Sequence, residues 1–234
     1  MRVARTAIHA VAGFMLFCVS GCEPAAESQT QPIGTADGRG AEISDFDFYV
    51  LSLSWSPSYC EAEGAEANRQ QCGSRRPYAF VVHGLWPQFE RGYPENCATS
   101  EQLEVPRDRM SALYDIMPSA GLIRHQWRKH GSCAGLSQAD YFDAVRAART
   151  RVTIPQDYLR LETHRSVDPA SVEAAFIAAN PGLMSEGVAV TCDQRFLREV
   201  RICMTKALEF RPCPEIDRKD CRLPAAVMPP VRGG

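Results

Sequence analysis

The sequence predicts an α+β fold in which a central antiparallel sheet carries packed helices. Strand patterns occur near the beginning, in the middle and near the end of the chain, and helical patterns fill the intervals between them. About 190 residues remain after an N-terminal leader and linker, which suits one domain with a sizeable core. Periodicity alone does not fix how the strands pair.

The first 21 residues predict a signal peptide, because Arg2 and Arg5 precede an apolar core that is too short for a comfortable membrane span. Residues 19–22 (VSGC) fit the box at which bacterial lipoprotein signals are cut, which predicts lipidation of Cys22 and membrane anchoring. The alternative is an ordinary secretory signal that contains a cysteine. Either way the sequence predicts export, to the bacterial periplasm, as an outer-membrane-anchored lipoprotein, or by secretion.

Residues 22–42 predict a flexible linker, since they are rich in small and polar residues and have no apolar period. The folded domain is expected over residues 43–223. The Pro- and Gly-rich residues 224–234 predict a disordered tail.

The strand predictions rest on β-branched and aromatic runs. Phe46 to Trp55 alternates well and predicts a largely buried strand, and residues 80–82 predict a second strand that Gly84 and Pro87 end. Further short strands are expected over residues 188–192, 198–204 and 207–210.

The helix predictions rest on apolar residues at helical spacing and on caps. Helices are expected over residues 106–117 with Pro106 at the start, 121–130, 138–152 after the cap Ser137, and 168–180. Residues 58–77 predict a polar loop.

Two short stretches hold most of the candidate chemistry. One runs from Phe80 to Gln88 (FVVHGLWPQ) and the other from His125 to Cys133 (HQWRKHGSC), and together they contain three of the chain's five histidines. Histidine can take and give a proton near neutral pH. Two histidines from separate segments, with another cation nearby, are what an acid–base phosphoryl-transfer site needs.

The second stretch predicts one broad chemical face on a helix. At about 100° per residue, His125, Gln126, Lys129 and His130 fall within an arc of about 140°, and Leu122 shares that face. Arg124 and Arg128 point the other way, so neither is expected in the site.

These two stretches resemble the paired active-site segments of the ribonuclease T2 family of secreted acid endoribonucleases. The first matches the family's His-Gly-Leu-Trp-Pro segment in full. The second matches its His-Glu-Trp-x-Lys-His-Gly-x-Cys segment except at Gln126, where the family usually has Glu. The resemblance extends from Phe46 to Cys221, and it fixes the choice of a ribonuclease T2-like, disulfide-stabilised α+β fold.

The resemblance implies an endoribonuclease that cleaves single-stranded RNA through a 2′,3′-cyclic phosphate, with no metal and no cofactor. It implies that His130 is the general base, that His83 is the general acid and that His125 holds the phosphate. Lys129 would stabilise charge that develops on the phosphate oxygens. DNA lacks the 2′-hydroxyl and is not expected to be cut, and the family suggests a monomer.

The resemblance also implies a base pocket made by Trp86, Gln88 and Tyr93, in which aromatic planes stack on a splayed base and an amide reads its edge. Leu122 is a further candidate contact because it lies on the face of the active-site helix. The alternative for Trp86 is a place in the core.

Cysteine use supports export. Of ten cysteines, Cys18 and Cys22 belong to the signal, which leaves an even number for disulfides in an oxidising compartment. A zinc site is the alternative, but no Cys-x-x-Cys occurs. The resemblance implies four pairs: Cys60–Cys72, Cys97–Cys133, Cys192–Cys221 and Cys203–Cys213.

Net charge gives no support for binding long RNA. Cleavage before Cys22 removes two arginines from 26 basic residues and leaves 24 against 28 acidic ones. A protein that binds long RNA by counterion release is usually basic. A hydrolase that holds one phosphate and two bases need not be.

Gln126 is the main departure from the family pattern. Gln keeps the shape of Glu and can donate a hydrogen bond, but it cannot ionise and so cannot support a charged neighbouring histidine. We expect an active enzyme that is slower than a Gln126→Glu variant or has a shifted pH optimum. A catalytically weak or inactive relative that binds RNA is the first competing interpretation.

A metal hydrolase and an envelope lipoprotein are two competing interpretations from different classes of protein. The metal hydrolase would use His83, His125 and His130 as ligands, although no helical i,i+4 pair of histidines or nearby carboxylate completes such a site in the sequence. A disulfide-rich structural or binding lipoprotein of the envelope would show no activity that depends on His83.

Overall fold

The central feature is a four-stranded antiparallel sheet, across which the strands lie in the order β2 (Phe80–Gln88), β1 (Phe48–Trp55), β5 (Leu197–Met204) and β4 (Val188–Cys192). A computed structural model describes residues 45–73 and 76–232. The predicted signal peptide, the lipidation site Cys22 and the whole of the predicted linker lie outside the described residues.

Seven α-helices accompany the sheet in the part of the chain that the structure describes. They are α1 (Ser56–Glu63), α2 (Arg69–Cys72), α3 (Arg107–Ser111), α4 (Ala120–Lys129), α5 (Gln138–Arg151), α6 (Pro169–Ala179) and α7 (Pro214–Asp217). Single 3-10 turns cover Gly64–Glu66, Gly131–Cys133, Gln156–Tyr158 and Ser185–Gly187. None of the helices in the described ranges is long and apolar enough to span a membrane.

The two faces of the sheet have different surroundings. Leu51, Leu53 and Trp55 of β1 are buried in the main hydrophobic core, in which α4, α5 and α6 contact the sheet. Phe48 and Val50, on the opposite face of β1, belong to a smaller apolar cluster. The rest of that second face carries polar residues, and the candidate site lies there.

Caps explain where two of the predicted helices begin. The Ser137 hydroxyl accepts a hydrogen bond from the Asp140 amide at the start of α5, and the Asp168 carboxylate accepts one from the Ala170 amide at the start of α6. These two helices and strand β4 have nearly the predicted bounds.

The predicted end of the second strand is wrong. β2 continues through Gly84 and Pro87 to Gln88, so His83 lies inside a nine-residue strand and not at its end. Pro87 is tolerated because β2 is an edge strand of the sheet, where a missing N–H donor need not break the ladder.

Other bounds also differ from the predictions. The predicted loop over residues 58–77 contains helix α2 and most of α1, and the predicted helix over 106–117 is only the short α3 followed by turns. Residues 207–210 form only an isolated bridge from Phe210 to Met204.

The predicted disordered tail is wrong for part of its length. Residues 226–228 form a strand, β6, that pairs with β3 (Arg165–Val167) in a second, two-stranded sheet. Ala226 and Met228 are fully buried, and the Pro229 carbonyl accepts a hydrogen bond from the Trp55 indole. Burial of this segment therefore outweighs its content of Pro and Gly.

Four disulfides join the elements of the domain: Cys60–Cys72, Cys97–Cys133, Cys192–Cys221 and Cys203–Cys213. These are the pairings that the family resemblance implies. Cys97–Cys133 fastens the loop after β2 to the turn that follows α4. A covalent bond thus holds the loop after β2 close to the C-terminal end of α4.

Candidate active site

The candidate site consists of two cavities that share His83 as a wall. The larger, the histidine cavity, has a volume of about 390 Å³, and the second cavity has about 300 Å³. Eight of the nine predicted site residues line the histidine cavity: His83, Trp86, Gln88, Tyr93, His125, Gln126, Lys129 and His130. Leu122, the ninth, lines the second cavity together with His83.

A β-bulge places His83 in the site. The pairing of β1 with β2 shifts register between Ser52 and Leu53, and His83 is the residue of β2 left without a partner. The bulge resets the alternation of the strand, so that Val82 and Leu85 are both buried in the core while His83 between them faces the cavities. A regular strand does not bury two residues three apart on one face.

Helix α4 supplies the opposite wall. Its last turns and its C-terminal cap residue bring His125, Gln126, Lys129 and His130 to the histidine cavity. Arg124 and Arg128 do not line either cavity, as the helical arc predicts. The Arg128 guanidinium instead pairs with the Glu104 carboxylate on the surface.

A hydrogen bond between the two motifs joins the walls. The Trp86 indole nitrogen donates to the Gln126 side-chain oxygen over 2.8 Å. Because an indole N–H can only donate, its partner atom must be the amide oxygen, and the Gln126 NH₂ group is left as a donor. A Cβ at Gly84 would overlap both this oxygen and the indole nitrogen, so only glycine leaves room for the bond.

Lys129 is fixed from the outside of the cavity. Its ammonium group lies 3.2 Å from the Glu95 carboxylate, and its carbonyl accepts a hydrogen bond from the Asn96 amide. The adjacent Cys97–Cys133 disulfide holds the same loop against the end of α4.

The surroundings of His125 on α4 and of His130 at its C-terminal cap disfavour the charged form of both rings. Burial, and next the charge of Lys129, lower the pKa of His130 to about 3. Burial also lowers the pKa of His125, and the charges of Lys129 and His83 act in the same direction. His130 is only 7% exposed, and its Nδ1 has no hydrogen-bond partner within the described residues.

His83 has a different environment. Its Nδ1 contacts the carboxylate of Glu199 on β5, and the guanidinium of Arg201 donates two hydrogen bonds of 2.9 and 2.7 Å to the other carboxylate oxygen. Neither Glu199 nor Arg201 is among the residues that the sequence predicts for the site. The available signal was their alternation with buried Val200 and Ile202 on a predicted strand, which places two charges on one face of the sheet.

The aromatic residues surround the histidines. Trp86 lies with its ring centre 5.3 Å from that of His83 and 5.4 Å from that of His130. Tyr93 is half exposed, with its ring 6.4 Å from His130. Gln88 is buried, and its amide nitrogen donates to the Pro87 carbonyl. Trp86 is thus at the cavity wall, and Tyr93 is the most open of the three predicted base contacts.

The side chains that commonly bind metals are dispersed in this domain. Within residues 45–73 and 76–232, no three His, Cys, Asp or Glu side chains are grouped closely enough to hold a metal ion.

Comparisons with known proteins identify the family of the chain. The model of the ribonuclease T2 family matches residues 46–213. A ribonuclease of Aeromonas hydrophila is 35% identical over 181 residues, which cover 70% of this chain and 74% of the relative.

Two solved structures share the fold. An RNase-related protein from Calystegia sepium superposes with a TM-score of 0.64 at 21% identity, over 80% of this chain and 98% of the other. RNase NT in complex with 5′-AMP superposes with a TM-score of 0.55 at 23% identity, over 73% and 91%. From the family match and the Aeromonas relative, the chain belongs to the ribonuclease T2 family and is a T2-type endoribonuclease.

Proposed function

We propose that this endoribonuclease cleaves single-stranded RNA by metal-independent transphosphorylation, with two histidines as acid and base. The observation that carries the proposal is the contrast between His130 and His83. Both line one cavity, but one is buried among cations and the other contacts a carboxylate. A buried ring beside Lys129 suits a base that stays neutral until it takes a proton, and a ring held by a carboxylate suits the group that gives one.

His130 is the general base in this proposal. Because burial holds its pKa at about 3, the ring is neutral and able to accept a proton throughout the mildly acidic range. It takes the proton of the ribose 2′-hydroxyl, whose oxygen attacks the neighbouring phosphorus. The nucleophile is part of the substrate, so no metal-bound water is needed.

His83 is the general acid. It gives its proton to the 5′ oxygen as the phosphorus–oxygen bond breaks and the 2′,3′-cyclic phosphate forms. The carboxylate beside it stabilises positive charge on the ring. DNA, which lacks the 2′-hydroxyl, is not a substrate in this mechanism.

The phosphate is held by three groups on α4. Lys129 supplies positive charge, the neutral His125 ring supplies an N–H donor, and the Gln126 NH₂ group supplies a second donor, because Trp86 already occupies the oxygen of that amide. An amide donor keeps its protons at every pH, in contrast to a carboxyl group.

The bases on either side of the phosphate contact the aromatic and apolar walls. Trp86 and Tyr93 stack on one base and Gln88 reads its edge, while Leu122 contacts the substrate in the second cavity. The nucleotide complex of the structurally similar RNase NT supports a nucleotide-binding cleft in this fold.

The four disulfides are consistent with export to an oxidising compartment. We further propose that the chain acts as a monomer in the bacterial periplasm, anchored through lipidated Cys22. Loss of the protein from the membrane fraction in a Cys22→Ser variant is the expected result. Unchanged membrane association would contradict the anchor.

The test of the mechanism is cleavage of a short single-stranded RNA by the purified protein with excess EDTA, from pH 4 to pH 8. Products with a 2′,3′-cyclic phosphate end are expected, and the 2′-deoxy analogue should remain intact. Activity should vanish in His83→Ala and in His130→Ala. His164→Ala is the matched control, since His164 is exposed and pairs with Glu61 outside both cavities.

The remaining outcomes distinguish the competing interpretations. Loss of cleavage in EDTA would favour a metal hydrolase. Binding of RNA without cleavage at any pH would favour an inactive RNA-binding relative, the interpretation that Gln126 raises. Cleavage that survives His83→Ala would refute the proposed chemistry.

A further inference from the structure

A buried carboxylate lies behind the proposed general acid. The Glu199 side chain is 10% exposed, and its two oxygens have separate partners. One contacts His83 Nδ1, and the other accepts both hydrogen bonds from the Arg201 guanidinium. Burying a carboxylate in this way is expensive unless each oxygen is paired, and here each one is.

We propose that Glu199 is a positioning residue for catalysis: held by Arg201, it fixes the ring of His83 so that Nε2 delivers the proton to the leaving oxygen. The proposal rests on the proposed function, because it assigns a role to His83. Glu199 also lines the second cavity, but its two oxygens are occupied by His83 and Arg201, so in this mechanism it acts through the imidazole.

Strand β5 holds Glu199 and Arg201, together called the clamp, in a fixed position relative to His83. Glu199 and Arg201 are two residues apart on β5, so their side chains leave the same face of the sheet. Arg201 also lies over the ring of Trp86, with 5.4 Å from the guanidinium carbon to the ring centre. The clamp is therefore braced by the aromatic wall of the histidine cavity.

The contact fixes which nitrogen carries which proton. An ionised carboxylate can only accept a hydrogen bond, so the Nδ1 facing Glu199 must carry a hydrogen. Burial opposes ionisation of Glu199, but the hydrogen bond from His83 and the nearby charges outweigh it and hold the pKa of Glu199 at about 2. The carboxylate is thus ionised over the acidic range in which the enzyme would work.

The proton balance of the step is then simple. The 2′ oxygen–phosphorus bond forms as His130 takes the 2′ proton. The phosphorus–5′ oxygen bond breaks, its electron pair stays on that oxygen, and Nε2 of His83 supplies the proton. His83 is left neutral with Nδ1–H still bonded to Glu199, so the ring need not reorient.

The first test compares Glu199→Gln with Glu209→Gln. Glu209 also pairs with an arginine, Arg151, but on the surface away from both cavities. For Glu199→Gln, kcat on RNA is expected to fall by about 10- to 100-fold with KM changed less than about twofold, a smaller loss than the about 100- to 10,000-fold that an acid–base group itself contributes. Glu209→Gln is expected to match the wild type. Equal activity of the two variants would overturn the proposal.

The second test asks whether Glu199 acts through His83. In a His83→Ala background, measured on an activated substrate that needs no acid and that this variant can still cleave, Glu199→Gln should cause no further loss, because the ring it positions is gone. On a nucleoside 3′-(4-nitrophenyl phosphate), whose leaving group needs no proton, the loss from Glu199→Gln should shrink to about threefold or less. If Glu199→Gln loses as much activity in the His83→Ala background, or on the nitrophenyl substrate, as the single variant loses on RNA, its role is structural and the proposal is overturned. If Glu199→Gln does not fold, Glu199→Asp takes its place in both comparisons, with the same two outcomes.

The two proposals fail in different ways. If His83→Ala remains active on RNA, the proposed function falls. If His83→Ala is inactive while Glu199→Gln equals the wild type, only the role of Glu199 falls.

Discussion

Substitution of Gln126 by Glu would place a charge at the centre of the site with almost no change in shape. Gln126 is 1% exposed, and its oxygen accepts a hydrogen bond from the Trp86 indole, which a carboxylate oxygen can accept equally well. The indole N–H and the ammonium group of Lys129 both favour the ionised form of the new side chain. The variant therefore tests the effect of charge and leaves packing aside.

The expected effect is on His130. Burial and the charge of Lys129 hold the pKa of His130 at about 3, and a carboxylate beside it would raise that pKa. An opposite charge in contact stabilises a histidine cation by about 1.4–4 kcal/mol, a tenfold to thousandfold change in proton affinity. With a hundredfold change, the neutral fraction of the base at pH 4 falls from about 90% to about 10%. The acidic limb of kcat/KM should then move to higher pH, with about a ninefold loss at pH 4 and none at pH 7.

The assay is the pH dependence of kcat/KM on a short RNA from pH 3 to pH 8. Gln156→Glu is the matched control, because Gln156 is exposed and lines neither cavity. An acidic limb that stays in place in Gln126→Glu, with the Trp86 contact intact, would refute both the assignment of His130 as base and the sequence-based prediction for Gln126.

Three further predictions concern the support of the site and the stability of the domain. Gly84→Ala should break the contact between the two motifs and lower the unfolding free energy by about 1–3 kcal/mol with loss of activity, measured by urea denaturation and RNA cleavage; unchanged stability would refute the steric argument. Burial and the neighbouring Asp220 raise the pKa of Glu173 to about 7, so the folded protein binds the proton of this side chain more tightly than the unfolded chain does. The stabilisation that results is complete below the pKa of Glu173 in the unfolded chain, and it is lost as pH rises through the pKa in the folded protein. Glu173→Gln should therefore flatten the fall in unfolding free energy between pH 4.5 and pH 7.5, by about 1 kcal/mol after solvent screening, and an identical slope would contradict this. Replacing Cys97 and Cys133 together by Ser should lower the unfolding free energy by about 2–4 kcal/mol and reduce RNA cleavage while the domain remains folded. A variant as active as the wild type would show that this disulfide does not support the site.

Local signals in the sequence predicted the elements whose stability is decided locally. Helices α5 and α6 begin at their caps, Ser137 and Asp168, because a side-chain oxygen satisfies the first free amides there. The face of α4 followed from the helical repeat alone, and the structure places His125 and Lys129 on it as predicted. Such features need no knowledge of the rest of the chain.

The errors have a common physical cause, which is tertiary context. Pro87 was predicted to end β2, but the strand lies at the edge of the sheet, and that position depends on strand order. The C-terminal residues were predicted to be disordered from composition, but β6 pairs with β3 and buries Met228. For α1, a local signal existed in Pro57 at the first turn and was missed.

The contact between His83 and Glu199 shows why the site was only partly predictable. The two residues are on β2 and β5, and β1 lies between these strands, so their backbones are about 10 Å apart at the usual strand spacing. Their side chains meet because β1 presents small residues on this face: Ser52 is fully buried, Ser54 is half-buried, and the Ser54 hydroxyl lies 3.4 Å from the Glu199 carboxylate. A larger side chain at either position would separate the acid from its carboxylate. The site depends on three features that are far apart in the sequence: a bulge, two serines, and a Glu and an Arg that alternate with apolar residues. Only the strand order shows that these features lie together.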